Sequence, residues 1–268
     1  MKYADFINKK IVTVQDSGFV VEKSHLNNML FDWQKDIVSW ALRKGKSALF
    51  EDCGLGKSPQ QLDWSRCVCE HTGGNVLILA PLAVSKQTKR EGIKFGIDVN
   101  ICRHQADVKP GINITNYEML HEFQPDTFAG IVLDESSILK NYSGVMRNEI
   151  INAFRNVPYK LSCTATPAPN DYMELGNQCE FLGVMSRTEM LAAYFVHDGS
   201  DTSKWRLKGH AQNKFWDWVA SWAVVLNKPS DLGYEDGGFE LPSLSISMKS
   251  WLMLMMQKKT DKCHGFQQ

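Results

Sequence analysis

Phe50-Glu-Asp-Cys-Gly-Leu-Gly-Lys-Ser58 joins an apolar run (Ala48, Leu49, Phe50) to a helix-compatible segment. A Gly-x-Gly-Lys-Ser turn between a strand and a helix is the layout of a phosphate-binding loop. Its glycines let successive N–H groups face inward. Its lysine adds a point charge, its serine hydroxyl suits Mg2+, and the helix presents its N-terminus to an anion. The motif in strict form has glycine five residues before Gly56, where this chain has Glu51. Judged locally, an ordinary strand–turn–helix connection fits as well, so the remaining residues have to decide.

The chain has 268 residues, 43% of them hydrophobic, room for one large α/β domain or one domain with a small annex. Uninterrupted apolar runs fall well short of the ~20 residues that a membrane span needs. Met1-Lys-Tyr-Ala-Asp-Phe6 lacks the apolar core of a signal peptide, which makes a cytoplasmic protein, in a bacterium or a phage-infected host, the expectation. Seven scattered cysteines, without a Cys-x-x-Cys pair, read as reduced thiols rather than a disulfide frame or zinc site. A net charge of zero neither points to nucleic acid nor excludes it.

Along the chain, Ile11–Val14 and Phe19–Val21 alternate like short strands, and Leu30–Leu42 has helical periodicity. Asn75-Val-Leu-Ile-Leu-Ala80 and Phe128–Leu133 are continuous apolar runs of strand length, as in strands buried on both faces. Helical stretches (Gln60–His71, Val84–Phe95, Ser143–Phe154) alternate with these and with short strands at Val99–Cys102 and Ile112–Thr115. The expected fold is therefore α/β, a doubly wound and mainly parallel sheet. Polar motifs collect at the strand C-termini, where such sheets bind ligands. From about residue 171 the pattern is mostly helical, and Phe215, Trp218, Val219 and Trp222 form an aromatic helix face. A packed helix accounts for that face better than a base-stacking platform.

Ile131-Val-Leu-Asp134-Glu135 supplies the second half of a nucleotide-hydrolysing site. Asp134, at the tip of a buried strand, suits Mg2+ held through water, and Glu135 suits orienting and deprotonating an attacking water. An isolated Asp-Glu would merely cap a turn. Two α/β units after a Gly-Lys-Ser loop, the metal role is favoured.

Six segments, in order, resemble the motifs of one family. Phe31-Asp-Trp-Gln34 is similar to an adenine-reading Q motif. Glu51–Ser58 is similar to Asp-Glu-Met-Gly-Leu-Gly-Lys-Thr, whose first position is routinely acidic. Leu79-Ala-Pro-Leu82 matches motif Ia, Ile114-Thr-Asn-Tyr-Glu118 motif Ib, Asp134-Glu-Ser-Ser137 motif II, and Thr164-Ala-Thr-Pro167 with Asn170 and Glu174 motif III. Together they resemble the first RecA-like lobe of superfamily-two helicases, nearest to the Swi/Snf-type DNA translocases and their phage-encoded relatives.

The resemblance implies ATP and Mg2+ as ligands and DNA as partner. Phe31, Gln34, Gly54, Gly56, Lys57 and Ser58 would bind nucleotide, with Ser58 and Asp134 on the metal. Lys57, Asp134 and Glu135 would be catalytic, and Thr164 and Thr166 would couple nucleotide state to the DNA grip. Ser85, Lys86, Thr115 and Asn116 are the candidates for DNA backbone contacts; for Lys86, Lys89 and Arg90 a solvated helix face is an equal alternative. Ser137 stands where the family has histidine, which puts the coupling of motifs II and III in question.

The family also uses a second RecA-like lobe with an arginine finger in a Gln-x-x-Gly-Arg-x-x-Arg motif, a sequence not found in these residues. The expected organisation is an ATP-binding lobe at 1–180, a helical annex and linker toward a second lobe at 181–240, and an aberrant or disordered tail at 241–268. A separate polypeptide supplying the second lobe is the implied partner. Lack of an arginine finger costs ~10³ to 10⁵ in turnover, so binding with weak unstimulated hydrolysis is expected. The alternative is a nucleic-acid-binding or adaptor fragment that binds ATP without efficient turnover.

Overall fold

The computed structural model describes residues 14–141, 144–198 and 201–239. Its helices are α1 (Asp32–Lys44), α2 (Lys57–Thr72), α3 (Ser85–Lys94), α4 (Val145–Ala153), α5 (Leu175–Leu182), α6 (Arg187–Tyr194) and α7 (Gln212–Ala220). The strands are β1 (Lys46–Glu51), β2 (Asn75–Ala80), β3 (Val99–Ile101), β4 (Ile112–Asn116), β5 (Phe128–Asp134), β6 (Tyr159–Cys163), β7 (Phe195–Asp198), β8 (Asp201–Leu207) and β9 (Ala223–Leu226).

Seven strands form one sheet in the order β3-β4-β2-β5-β6-β1-β9, with every neighbouring pair parallel. The apolar runs at β2 and β5 sit in the middle of that order, and Val76 to Ala80 and Ile131 to Leu133 are fully buried. All seven C-terminal ends lie along one edge, as the α/β pattern predicts. Because β5, β6 and β1 are consecutive, the turns after Glu51, Asp134 and Cys163 become neighbours.

Two sequence expectations need revision. Phe19–Val21 is not a strand. The N–H groups of Ser17, Gly18 and Phe19 donate instead to the carbonyls of Lys44, Arg43 and Leu42, closing the C-terminus of α1. A Cβ on Gly18 would lie 1.9 Å from the Leu42 carbonyl oxygen, so this approach requires glycine. The companion expectation, Ile11–Val14, falls mostly outside the described residues.

The second revision concerns residues 181–240. They carry α6 and α7, but also the antiparallel β7–β8 hairpin and β9, which pairs with β1 through Ala48↔Ala223 to Glu51↔Leu226. Residues on either side of 180 lie in one compact unit, Met1–Glu235. In the other unit, Asp236–Gln268, only residues 236–239 are described, so the tail expected at 241–268 lies outside the described residues.

Phe215, Trp218, Val219 and Trp222 are all buried in the main hydrophobic core, which agrees with a packed face. Trp222 meets Phe50 edge to face with ring centroids 6.0 Å apart, directly before the phosphate loop. Trp222→Ala is expected to cost about 3–5 kcal/mol, the usual range for emptying a buried aromatic site. Denaturant melts should show one destabilised transition; two independent transitions would mean that the region around β9 folds separately from the sheet.

Candidate nucleotide-binding site

The phosphate loop is built as its residue types demand. Gly54 (φ 85°) and Gly56 (φ 77°) both take left-handed conformations that side chains rarely adopt. Gly56 is also hemmed in, since a Cβ there would meet the Gln34 amide nitrogen at 2.6 Å. Gln34 braces the turn, donating from Nε2 to the Leu55 carbonyl at 2.9 Å and accepting at Oε1 from the Phe31 N–H at 3.0 Å. Its amide is thus engaged on both sides. Phe31 beside it is 55% exposed and lies parallel to Trp33.

Lys57 opens α2, and its ammonium donates to the carbonyls of Glu51 (2.8 Å) and Asp52 (3.0 Å), holding it across the loop. Ser58 follows, half-buried. Left-handed glycines, a loop-spanning ammonium and a helix N-terminus with a hydroxyl together fit a nucleoside polyphosphate and its ion.

Glu51, the irregular first position, is fully buried. Gln60 Nε2 donates to its Oε2 at 2.8 Å, while Oε1 has no partner. Burial pushes this carboxyl up from 4.5 to about 7, against the Gln60 hydrogen bond and the Lys57 charge. A carboxyl raised on folding contributes stability that is complete below its unfolded value of 4.5 and lost as pH climbs through about 7. At ~1.4 kcal/mol per pKa unit, the loss by pH 8 is about 3 kcal/mol. Glu51→Gln should therefore stabilise the fold by a similar amount at pH 8, with the gap closing toward pH 4.5, as read from unfolding curves across pH.

Asp134 ends β5. Its Oδ1 accepts from Gln61 Nε2 at 2.9 Å, and its carbonyl accepts from the Tyr117 hydroxyl at 2.7 Å. Burial raises its carboxyl, opposed by the Gln61 bond and Lys57 and reinforced by Glu135. Glu135 has φ 59°, the one positive value at a non-glycine among the described residues, at a cost of roughly 1 kcal/mol or more. Its carboxylate accepts from the buried Thr164 hydroxyl at 2.6 Å, and the Thr166 N–H donates to that same hydroxyl at 3.0 Å. Asp134 and Ser58 offer hard oxygens of the kind Mg2+ takes alongside substrate phosphates.

Behind this row stands α5. Ser162 donates to Gln178 Oε1 (2.6 Å), Gln178 donates to the Ser136 carbonyl (3.0 Å), and Asn177 donates to the Leu139 carbonyl (2.8 Å). Asn170 and Glu174 hydrogen-bond each other at 2.7 Å. Ser137 is half-buried. The direct tie between motifs II and III runs through Glu135 and Thr164.

The DNA-contact candidates separate by exposure. Lys86, Lys89 and Arg90 are exposed on α3, whereas Ser85 and Thr115 are 8% and 2% exposed. Asn116 is half-buried and caps the turn at Tyr117–Glu122 by accepting from the Met119 N–H.

Gln60, Gln61, Tyr117, Asn177 and Gln178 are contributors that the sequence reading did not single out. Amides amid the apolar residues of α5 (Leu175, Cys179, Phe181, Leu182) were the available signal.

Comparison with solved structures decides the fold. The SWI2/SNF2 ATPase core of Sulfolobus solfataricus in complex with dsDNA superposes with a TM-score of 0.66 at 20% identity, over 81% of this chain and 48% of that one. The fold is shared with about half of that ATPase core. A SWI2/SNF2 ATPase core domain of Sulfolobus solfataricus gives 0.62 at 19%, over 85% of this chain and 50% of that one. This RecA-like chain thus spans about half the length of both structures. The UvsW helicase of bacteriophage T4 matches more distantly, with a TM-score of 0.49 at 15% identity, over 69% of this chain and 66% of that one. No protein-family profile and no curated protein matches the chain.

Proposed function

We propose that this chain is the ATP-binding lobe of an ATP-dependent DNA helicase or translocase, active in Mg2+-dependent hydrolysis when a second RecA-like lobe closes over the site. The observation that carries the reading is the joining of three strand ends. Lys57 follows β1, Asp134 ends β5 with Glu135 directly after it, and Thr164 follows β6, with Glu135 and Thr164 hydrogen-bonded.

In this reading Gly54, Gly56 and Lys57 cradle the phosphates, and Phe31 and Gln34 lie on the adenine side. Ser58 and Asp134 hold Mg2+, which when bound neutralises charge on the phosphate oxygens. Glu135 orients the attacking water and takes its proton. Thr164 reports that carboxylate's position to Thr166 and the loop beyond. Lys86 and Asn116 are the accessible members of the proposed backbone-contact set, and Ser85 and Thr115 shape the strand ends beneath them. DNA as partner is supported by the dsDNA complex of the similar SWI2/SNF2 core.

The expected partner lobe supplies an arginine to the transition state, a contribution worth ~10³ or more in turnover. Turnover should therefore be slow for the purified chain, with or without duplex DNA, and rise steeply when a polypeptide carrying a Gln-x-x-Gly-Arg-x-x-Arg lobe is added. Robust DNA-stimulated hydrolysis by the chain unaided would overturn the dependence on a second lobe. Absence of stimulation with every such lobe would favour the adaptor reading.

A further inference from the structure

We propose that Gln61 is a positioning residue for the metal-bearing carboxylate, holding Asp134 by one oxygen and leaving the other to the ion. This rests on the reading of Asp134 as the Mg2+ carboxylate. Gln61 lies in the first turns of α2, the helix that begins with Lys57 and Ser58. Its side chain is 1% exposed and donates to Asp134 Oδ1 at 2.9 Å, across a sequence separation of 73 residues.

Three features make this more than packing. A buried glutamine amide gives up hydration that a leucine or methionine of similar volume would not, so its burial at a packed helix position calls for a partner. The partner here is the half-buried carboxylate at the strand tip, and the glutamine amide itself is closed off from water at 1% exposure. Next, the neighbouring Gln60, also fully buried, turns to a different carboxylate, Glu51, at 2.8 Å. Adjacent amides thus bind two different acids of the site, Glu51 at the end of β1 and Asp134 at the end of β5. Finally, the backbone of Asp134 is fixed independently by the Tyr117 hydroxyl at 2.7 Å. With the peptide held, the amide of Gln61 governs the remaining freedom, rotation of the carboxylate. One helix then carries the phosphate lysine, the metal hydroxyl and the brace for the metal carboxylate, so these three groups move as a body.

The test reads metal dependence of binding and needs no turnover. A fluorescent ATP analogue is titrated into the wild-type chain, Gln61→Met and Gln61→Glu, at increasing Mg2+ and again in EDTA. Methionine keeps the reach without the donor, and glutamate replaces the donor by a like charge. Partners behind a metal ligand typically matter by ~10- to 100-fold, so both variants should need about tenfold more Mg2+ for half-saturation while binding without metal stays within about twofold of wild type. A merely structural role would weaken binding equally with and without Mg2+, and that result overturns the proposal, as does an unchanged Mg2+ requirement in both variants or wild-type behaviour of Gln61→Glu. If wild-type binding ignores Mg2+ altogether, the assignment of Asp134 fails instead. If methionine prevents folding, the isosteric glutamate variant carries the test by itself.

Discussion

Lys57→Ala is expected to weaken ATP binding by roughly a hundredfold. Hydrogen bonds to charged groups contribute about 1.5–3 kcal/mol each, and ~1.4 kcal/mol is tenfold in affinity. The ammonium also bridges the carbonyls of Glu51 and Asp52, so its removal frees the loop as well as discharging it. Because Lys57 is half-buried and makes its bonds to loop carbonyls, the melting temperature should move little. Equilibrium titration on folded variant protein separates the two effects. A variant that binds ATP like wild type would remove Lys57 from the site.

The second large effect is expected at Glu135. Glu135→Gln keeps the size of the side chain and an oxygen that can accept from Thr164, so binding should persist. What it removes is the proposed base, and general-base catalysis is worth ~10² to 10⁴. Single-turnover hydrolysis with the second lobe supplied should fall by that factor at near-constant ATP affinity. An unchanged rate would place the base elsewhere; a matching loss of binding would make Glu135 a structural support of its left-handed turn.

The parallel sheet was legible because its central strands are buried on both faces and therefore read as unbroken apolar runs, as at Asn75–Ala80 and Phe128–Leu133. β9 was not, since it has only four residues, one of them the 58% exposed Val225, and it gains its place solely by pairing with β1. Phe19–Val21 misled for the converse reason: its alternation is genuine, but its backbone closes a helix end. Within the site, the groups set by local chemistry were readable, namely Gly54, Gly56, Lys57 and the Asp134-Glu135 tip. Those set by tertiary approach were not. Gln61 meets Asp134 only after the chain has folded, and Lys160 shows the same limit. A lysine in a central strand reads as an interruption, yet its side chain is 1% exposed and its ammonium donates to the Phe181 carbonyl at 2.9 Å. Burial there holds its pKa down at about 8.

The central claim is that Glu51–Ser58 and Asp134-Glu135 form one Mg2+–ATP site, and calorimetric titration of the chain with ATP in the presence of Mg2+ tests it most directly. One saturable site per chain, weakened about a hundredfold by Lys57→Ala and weakened by Asp134→Asn only when Mg2+ is present, is the predicted result. Absence of saturable binding at millimolar ATP, or binding indifferent to both substitutions, would contradict it.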